Sequence, residues 1–183
     1  GRLEAAFSPN GTTMILVRTE GESNQADLYW STWDGRLWTR PTALTALNTE
    51  TDERGPAFSR DGRYLYFSSD REGGQGGTDI YVARWNGQEW TGVEALGTTV
   101  NSPAHETGPA PTTDGKRLYF SSNRDGTGND IFVSLRLEET PPDPGETTDE
   151  VAPEPVEPKN PAKPGEAVAE LPPLPKFRNG EAV

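Results

Sequence analysis

The stretch that decides the fold is SRDGRYLYFSSDR at positions 59–71. It returns as TTDGKRLYFSSNR at positions 112–124, and a weaker copy, SPNGTTMILV, stands at positions 8–17. The equivalent turn residues Asn10, Asp61 and Asp114 are 51 and 53 residues apart. A repeat of about 50 residues is typical of propellers and stacked arrays, in which each unit packs on its neighbours. The sequence therefore predicts a repeat fold rather than a globule with one core.

The middle copy predicts four antiparallel strands. Asp61-Gly62 and Asn86-Gly87 are typical of tight turns, the latter a two-residue hairpin, and the four glycines of residues 70–78 predict a loop. The strands between them are predicted at residues 56–59, 64–67, 79–85 and 88–91. Four antiparallel strands joined by Gly-rich turns describe one blade of a β-propeller.

The other copies extend this pattern. The first has its own hairpin signal at Asp34-Gly35, and the third ends at Leu137 without a fourth strand. We therefore predict an all-β fold: a partial β-propeller of two to three four-stranded antiparallel blades. The blades are expected at about 5–40, 56–92 and 109–136, the last with three strands. A helical solenoid is disfavoured because no 3.6-residue periodicity accompanies the repeats.

The composition changes after Leu137. From Glu138 onward the chain holds 11 of its 17 prolines, with 11 acidic and 4 basic residues. Such a segment buries too little apolar surface to offset its chain entropy. We therefore divide the chain into propeller repeats at 1–137 and a disordered, acidic, Pro-rich linker at 138–183. Its stretch from Glu139 to Pro175 is expected to make few contacts with the blades and to form no regular secondary structure.

Charge and composition exclude several function classes. The formal net charge is −12 and no basic stripe is present, which argues against nucleic acid as a partner. The absence of cysteine excludes disulfides and thiolate chemistry. No apolar run is long enough to span a membrane, and no signal peptide is visible. Because the chain begins at Gly1 inside a repeat, we interpret it as an excerpt of a longer protein.

The repeats resemble the TolB-type, WD-like propeller repeat. The pattern of Ser-x-Asp-Gly, Leu-Tyr-Phe, Ser-Ser-Asp-Arg, a Gly-rich loop and Asp-Ile-Tyr-Val fits residues 56–82 almost throughout and residues 109–133 well. The connector from Trp38 to Glu53 also resembles those of bacterial envelope proteins. Kelch repeats have a similar period, but the Gly-Gly doublets occur in one copy only.

The resemblance implies a non-enzymatic interaction or scaffold module of an exported bacterial protein, periplasmic or associated with the cell envelope. Its partner would be a protein or an envelope component. Two alternatives stay open: the accessory propeller of a serine-peptidase type of hydrolase whose catalytic domain lies outside this chain, and a sialidase-like propeller. The resemblance transfers no ligand, because one fold serves many functions.

Candidate site residues collect at one end of the blades. The start of the first strand, the loop between the second and third strands and the connector to the next blade meet there, because successive strands are antiparallel. We call this the long-loop end. We expect Glu53 to pair with Arg71, and Glu106 with Arg124, either as an interaction face or as structural ion pairs. The candidate residues are Glu53, Asp70, Arg71, Asp79, Glu106, Asn123, Arg124 and Asp130.

No catalytic, cofactor or metal site is predicted. A Ser-His-Asp enzyme needs a histidine base, and the only histidine, His105, lies in a connector without a nucleophile elbow, which favours a solvated loop residue. Asp125–Asp130 offers oxygen ligands for calcium but lacks EF-hand spacing, which favours an Asx-type turn.

Aromatic and apolar residues give two further expectations. Trp33 with Trp38, and Trp85 with Trp90, are predicted to pack across their own hairpins or between blades rather than to form a binding rim. A closed propeller needs about four blades or more, so the first and third blades should each leave one apolar face uncovered and favour self-association. The residues expected to be incompletely buried are Phe7, Ile15, Leu16, Leu118, Phe120 and Ile131.

Overall fold

The computed structural model describes residues 4–20, 25–126, 128–137 and 173–178. These residues form twelve strands: β1 Ala5–Phe7, β2 Thr13–Glu20, β3 Gln25–Thr32, β4 Thr42–Ala43, β5 Glu53–Phe58, β6 Tyr64–Ser69, β7 Asp79–Trp85, β8 Trp90–Ala95, β9 Glu106–Pro111, β10 Arg117–Ser122, β11 Asp130–Arg136 and β12 Phe177–Arg178. They make three four-stranded antiparallel sheets, β1–β4, β5–β8 and β9–β12, which we call blades 1, 2 and 3. The prediction of an all-β partial propeller is confirmed, and the described residues contain no helix.

The inner strands of blades 2 and 3 begin three residues earlier than predicted, at Glu53 and Glu106. A bulge in each strand explains the difference. The register of β5 shifts between Arg54 and Ala57, where Gly55 has a φ of 59°, and Gly108 has a φ of 62° at the equivalent place in β9. A left-handed conformation of this kind suits glycine and re-aims the strand, so that the residues on either side of the bulge both pair.

The Asp-Gly turn between the inner strand and the next one is held by its own side chains. In blade 2 the Ser59 hydroxyl accepts the N–H of Tyr64 at 3.0 Å and donates to Asp61 at 2.5 Å, while Asp61 accepts the N–H of Arg63 at 3.1 Å. Ser8 with Asn10, and Thr112 with Asp114, make the same bonds in blades 1 and 3. The same bonds recur in all three blades, which explains why the Ser/Thr-x-Asp/Asn-Gly signature repeats along the chain.

The loop of the outer hairpin in blade 1 is two residues longer than predicted, and both extra residues follow Gly35. Trp33 bridges to Trp38, which leaves four residues between them. Asp34 opens the turn, and its Oδ1 accepts the backbone N–H groups of Arg36 and Leu37 at 2.8 and 2.7 Å. These bonds hold the pKa of Asp34 below its ordinary value, because they stabilise the charged carboxylate.

Blade 2 repeats this arrangement around Asn86. Trp85 pairs with Trp90, and Asn86 Oδ1 accepts the N–H groups of Gln88 and Glu89 at 2.9 and 2.8 Å. The prediction of two-residue turns formed by Asp34-Gly35 and Asn86-Gly87 is therefore wrong in register. In each hairpin the side-chain oxygen of Asp or Asn accepts the backbone N–H groups of the turn. The Asp or Asn residue therefore precedes the central residues of the turn and is not one of them.

The blades stack face to face, and an apolar core fills each of the two contacts between them. The first core lies between blades 1 and 2 and contains buried Ile15, Leu28, Leu65 and Phe67. The second lies between blades 2 and 3; its buried residues are Tyr64, Tyr66, Ile80, Val82, Leu96, Val100, Leu118, Phe120 and Phe132. Alternate residues of β6 and β7 therefore serve opposite cores, as the two-residue period of a strand requires.

This alternation corrects part of the expected exposure. Phe7 and Ile131 are each 57% exposed, as expected. Ile15, Leu118 and Phe120 are instead buried, because their side chains point toward blade 2. The prediction assigned residues to the correct blades but did not use strand parity to choose the face.

Blade 3 has four strands rather than the three predicted. Phe177–Arg178 forms β12, which pairs with Leu135–Arg136 of β11. The prediction of few contacts from Glu139 to Pro175 is wrong for residues 173–175, because the Tyr64 hydroxyl donates to the Pro173 carbonyl and Leu174 packs against the second core. The rest of the predicted disordered segment lies outside the described residues, and the division at residue 137 stays a prediction.

Buried tyrosines make the stability sensitive to alkali. Burial raises the pKa of Tyr66, and also that of Tyr64 and Tyr81, above the ordinary value of about 10. The unfolded chain then ionises before the folded one, so this stability is complete below about pH 10 and is lost as the pH rises further. We expect the free energy of unfolding to fall by up to about 1.4 kcal/mol per pH unit through Tyr66, whose pKa shift is large.

The measurement is urea unfolding between pH 8 and 12, followed by circular dichroism and by tyrosinate absorbance. Tyr66→Phe is the matched variant, since it removes the ionisable hydroxyl and retains the ring. A Tyr66→Phe chain with an unchanged alkaline slope would contradict the assignment.

Candidate functional site

The structure brings the predicted residues of the long-loop end together at adjacent strand ends. Glu53 lies opposite Ser69, and Ser69 lies opposite Asp79. In blade 3, Glu106 and Asp130 flank Ser122 in the same way. The residues do not form one cluster, however. They divide into Glu–Arg pairs, Asp70 and Asn123 beside the connectors, and Asp79 and Asp130 at the start of the third strand.

The Glu106–Arg124 pair is the centre of a buried network in blade 3. Arg124 approaches Glu106 Oε1 at 3.2 Å, and its Nε donates to the Ser122 hydroxyl at 3.1 Å. The Glu106 carboxylate, which is fully buried, also accepts the Ser122 hydroxyl at 2.6 Å and the Ser102 N–H at 2.8 Å. Arg124 also donates to the carbonyl of Val100. Every oxygen of this buried charge therefore has a partner, which offsets its loss of hydration.

The guanidinium of Arg124 also lies over two neighbouring aromatic rings. Its central carbon is 5.2 Å from the ring centre of Phe120 and 4.7 Å from that of Phe132. A planar cation gains from such stacking, whereas a lysine ammonium could not fill the same space. Arg124 thus joins the polar network to the second core.

The same network recurs in blade 2. Arg71 approaches Glu53 at 3.1 Å, its Nε donates to Ser69 at 3.0 Å, and it donates to the Leu47 carbonyl at 2.7 Å. Glu53 accepts the Thr49 hydroxyl at 2.7 Å. We call the Glu53–Arg71 and Glu106–Arg124 networks the two clamps. Both predicted ion pairs are confirmed.

An asparagine fixes the other side of each connector, buried as Asn101 in the second and half-buried as Asn48 in the first, and sequence reasoning did not assign it. Asn101 Oδ1 accepts the N–H of Ile80 at 2.8 Å, and its Nδ2 donates to the carbonyls of Ile80 and Leu96 at 3.0 and 2.5 Å. Asn48 makes the equivalent pair of bonds to Leu28, at 2.9 and 3.0 Å. The repeat spacing in the sequence does indicate this role, since the two asparagines are separated by 53 residues, which is also the separation of the two clamps.

Each connector is therefore tied to both of the blades that it joins. Asn48 bonds to β3 of blade 1, while Glu53 and Arg71 belong to blade 2. Asn101 and the Glu106–Arg124 clamp do the same between blades 2 and 3. The arrangement sets the angle between successive blades. It also gives the buried charged groups of the clamps their hydrogen-bond and ion-pair partners.

Asp70 and Asn123 support the connectors from the long-loop side. Asp70 Oδ1 accepts the N–H of Asp52 at 2.9 Å, and Asn123 Oδ1 accepts the N–H of His105 at 2.9 Å. Asp and Asn can replace one another here because the contact requires only an acceptor oxygen. The change from Asp70 in one copy to Asn123 in the next is thereby explained.

His105 takes a structural position that Asp52 occupies in the preceding connector. Asp52 Oδ1 accepts the N–H of Ala26 at 2.9 Å, and His105 Nδ1 accepts the N–H of Thr78 at 3.1 Å. An imidazole that accepts at Nδ1 carries its proton on Nε2. The interpretation as an exposed loop residue agrees with this position, and the ring in addition anchors the Gly-rich loop of blade 2.

This equivalence predicts the effect of substituting His105. His105→Ala leaves the Thr78 N–H without its acceptor and is expected to lower the free energy of unfolding by about 1 kcal/mol. His105→Asp restores the acceptor used in the preceding connector and is expected to lie within about 0.5 kcal/mol of the parent chain. Urea unfolding of the three chains measures both values. Equal losses for alanine and aspartate would contradict the proposed equivalence.

Asp79 and Asp130 differ although they are equivalent in sequence. Asp79 is buried and its Oδ2 accepts the N–H groups of Gln75 and Gly76 at 2.8 and 3.1 Å, which closes the Gly-rich loop over it. Its other oxygen is also buried and has no hydrogen-bond partner among the residues that the structure describes. Asp130 is exposed. Of these two aspartates, therefore, Asp79 is the one that packs beneath its loop.

The remaining predictions concern the aromatic pairs and the loop after β10. The ring centres are 5.6 Å apart in Trp33–Trp38 and 5.2 Å apart in Trp85–Trp90, which confirms packing across each hairpin. In the loop after β10, the N–H of Gly126 bonds to the carbonyl of Asn123 at 3.0 Å. Within the described residues, no group of three or more acidic or histidine side chains could hold a metal ion, and no helix is long and apolar enough to cross a membrane.

Stacked four-stranded sheets with adjacent inner strands define a β-propeller, and β5 indeed contacts both β1 and β9. The chain is similar in structure to a protein assigned as TolB from Agrobacterium tumefaciens, with 25% identity and a TM-score of 0.54 over 73% of this chain and 44% of that one. It is also similar to TolB from Acinetobacter baumannii, with 21% identity and a TM-score of 0.50 over 73% of this chain and 29% of that one.

The chain therefore spans less than half the length of either TolB structure. No protein-family model matches the sequence, and no curated protein matches it. The resemblance to TolB-type repeats is confirmed at the level of fold, and the three blades fit part of such a propeller.

Proposed function

We propose that this chain is a non-enzymatic protein-interaction module of an exported bacterial envelope protein, and that it binds its partner through the long-loop end. The observation that carries the proposal is the pair of clamps. Two successive connectors are held by the same buried Glu–Arg–Ser network, so the loops that emerge between them stand on a rigid base. Loops on a rigid scaffold are the usual place for binding residues.

The same observation argues against catalysis at this end. A general acid or base must be able to exchange protons with a substrate, and Glu53 and Glu106 are fully buried and saturated with structural hydrogen bonds. Exposed positions beside them, such as Glu72 and Gln75, remain accessible to a partner. The envelope location is supported by the sequence resemblance of the repeats and connectors, and by the structural similarity to TolB.

Site-specific photo-crosslinking in the native cells tests the proposal. A photoreactive residue at Glu72 or Gln75 is expected to give one discrete adduct with a second protein. The same residue at Arg60 or Lys116, exposed in the tight turns at the opposite end, is the matched control and is expected to give none. Adducts of equal yield from both ends, or none from Glu72 and Gln75, would contradict the binding face. Recovery of the chain with cytoplasmic contents after osmotic release of the periplasm would contradict export.

A further inference from the structure

Blade 3 obtains its outer strand from a distant part of the chain. In blades 1 and 2 the outer strand follows directly after a short hairpin, but 35 residues separate Leu137 from Pro173. The strand β12 pairs through two residues, Phe177 with Arg136 and Arg178 with Leu135. The N–H of Leu137 adds one hydrogen bond to the carbonyl of Lys176, at 2.7 Å.

Residues 173–178, which we call the tail segment, also pack against the second core. The Tyr64 hydroxyl donates to the carbonyl of Pro173. Leu174 and Phe177 contact the buried residues between blades 2 and 3, and Pro175 is itself buried. The segment thus binds as an extended peptide does, with a few main-chain bonds and two apolar side chains.

The tail segment fills its binding groove only in part. A cleft of about 420 Å³ remains between the segment and β8, lined mainly by apolar side chains that include Val82, Leu96, Leu137, Leu174 and Phe177. The groove lies beside the Arg136 end of β11, opposite to the Asp130 end that belongs to the long-loop end. The cleft reaches Leu96 and Gly97 at the start of the connector, but neither Glu72 nor Gln75 of the binding face proposed above lines it.

We propose that this groove is a binding site for extended peptides of the type Pro-Leu-Pro-basic-aromatic, and that the tail segment is its occupant in cis. Addition of a strand to an exposed edge, with pockets for alternate side chains, is a general mode of peptide recognition. The edge of β11 offers the main-chain partners, and the cleft offers the apolar pocket. A proline-containing peptide loses little entropy when it adopts the extended form.

Tethering explains why such a site is filled by the chain itself. A connection of this length corresponds to an effective concentration on the order of 1 mM. A peptide in trans with an intrinsic Kd of about 100 μM then competes against the tail segment, and its apparent affinity falls about tenfold. A substitution that weakens the binding of the tail segment to the groove should therefore raise the apparent affinity for the peptide by about tenfold.

The test uses the full chain and a labelled peptide with the sequence of residues 173–178, with fluorescence anisotropy as readout. Leu174→Ala/Phe177→Ala weakens the tail segment and is expected to tighten peptide binding about tenfold relative to the parent chain. Arg178→Pro provides a second route, because it removes a main-chain donor of β12 at an exposed position and leaves the core intact. Near-ultraviolet circular dichroism of the tryptophans confirms that each variant is folded.

Leu137→Glu, added to either variant, places a charge in the groove and is expected to abolish binding. Leu37→Glu is the matched control, since Leu37 is 65% exposed and lies in the turn of blade 1, and it should leave binding unchanged. The proposal is overturned if folded Leu174→Ala/Phe177→Ala and Arg178→Pro chains both bind the peptide no better than the parent chain. It is also overturned if Leu137→Glu leaves the affinity unaltered, or if a scrambled peptide binds equally well.

Discussion

Arg124→Ala is expected to lower the free energy of unfolding by about 3–5 kcal/mol, because it leaves the carboxylate of Glu106 buried without its counter-charge. Glu106 is fully buried, and Arg124 stands 3.2 Å from it. The substitution also removes the hydrogen bonds to Ser122 and Val100. For a domain whose stability is on the order of 5–15 kcal/mol, such a loss approaches complete unfolding. Urea unfolding followed by tryptophan fluorescence measures it.

The control is a surface pair that involves the same residue type. Arg117 lies 3.6 Å from Asp114, and both side chains are about half exposed, at 48% and 47%. Arg117→Ala is therefore expected to cost about 0–1 kcal/mol. A double-mutant cycle with Glu106→Gln and Arg124→Ala should give a coupling energy of about 2 kcal/mol, within the range for residues in one network. A cost for Arg124→Ala no larger than that for Arg117→Ala would refute the structural role of the clamp.

The clamps could be predicted from the sequence because their chemistry is local to the repeat. Glu106 and Arg124 recur as Glu53 and Arg71 at the same spacing, and strand order alone places their ends side by side. A charged residue that recurs in equivalent copies indicates a shared structural requirement. The loop-length error at Asp34 and Asn86 has a different origin, since turn signals do not specify which residue occupies the corner.

Strand β12 could not be predicted because nothing local indicates it. Residues 173–178 read PLPKFR, which has neither the alternation nor the length of an ordinary strand. Its pairing depends on an edge of β11 that is left open by a missing hairpin, and on contacts with Tyr64, more than a hundred residues earlier in the chain. Composition favours an unpaired segment here, and tertiary contact overrides that preference.

The outer faces of blades 1 and 3, against which the described residues place no further blade, could be predicted in part. The residues of blade 2 that pack against blade 1 include Leu65, Phe67 and Tyr81. Their equivalents in blade 1, on its outer face, are Met14, Leu16 and Tyr29. In blade 3, the equivalents of Tyr66, Ile80 and Val82 are Tyr119, Ile131 and Val133. These six positions follow directly from the repeat once strand parity is applied. Both faces therefore carry the residue types that form a core wherever a neighbouring blade is present.

Self-association of this 183-residue chain through those faces is the second large effect that we expect. The face of blade 3 presents Ile131, which is 57% exposed, and the face of blade 1 presents Phe7, also 57% exposed. Ile131→Glu should weaken association by about tenfold to a hundredfold, because burial of one such side chain contributes about 1.5–3 kcal/mol and a buried unpaired charge is costly. Leu37→Glu removes a more exposed apolar side chain, 65% exposed, from a turn outside both faces, and should leave association unchanged. Light scattering over a concentration series distinguishes the two variants. A parent chain that stays monomeric at all concentrations, or equal effects of the two substitutions, would show that the outer faces do not act as blade-packing surfaces.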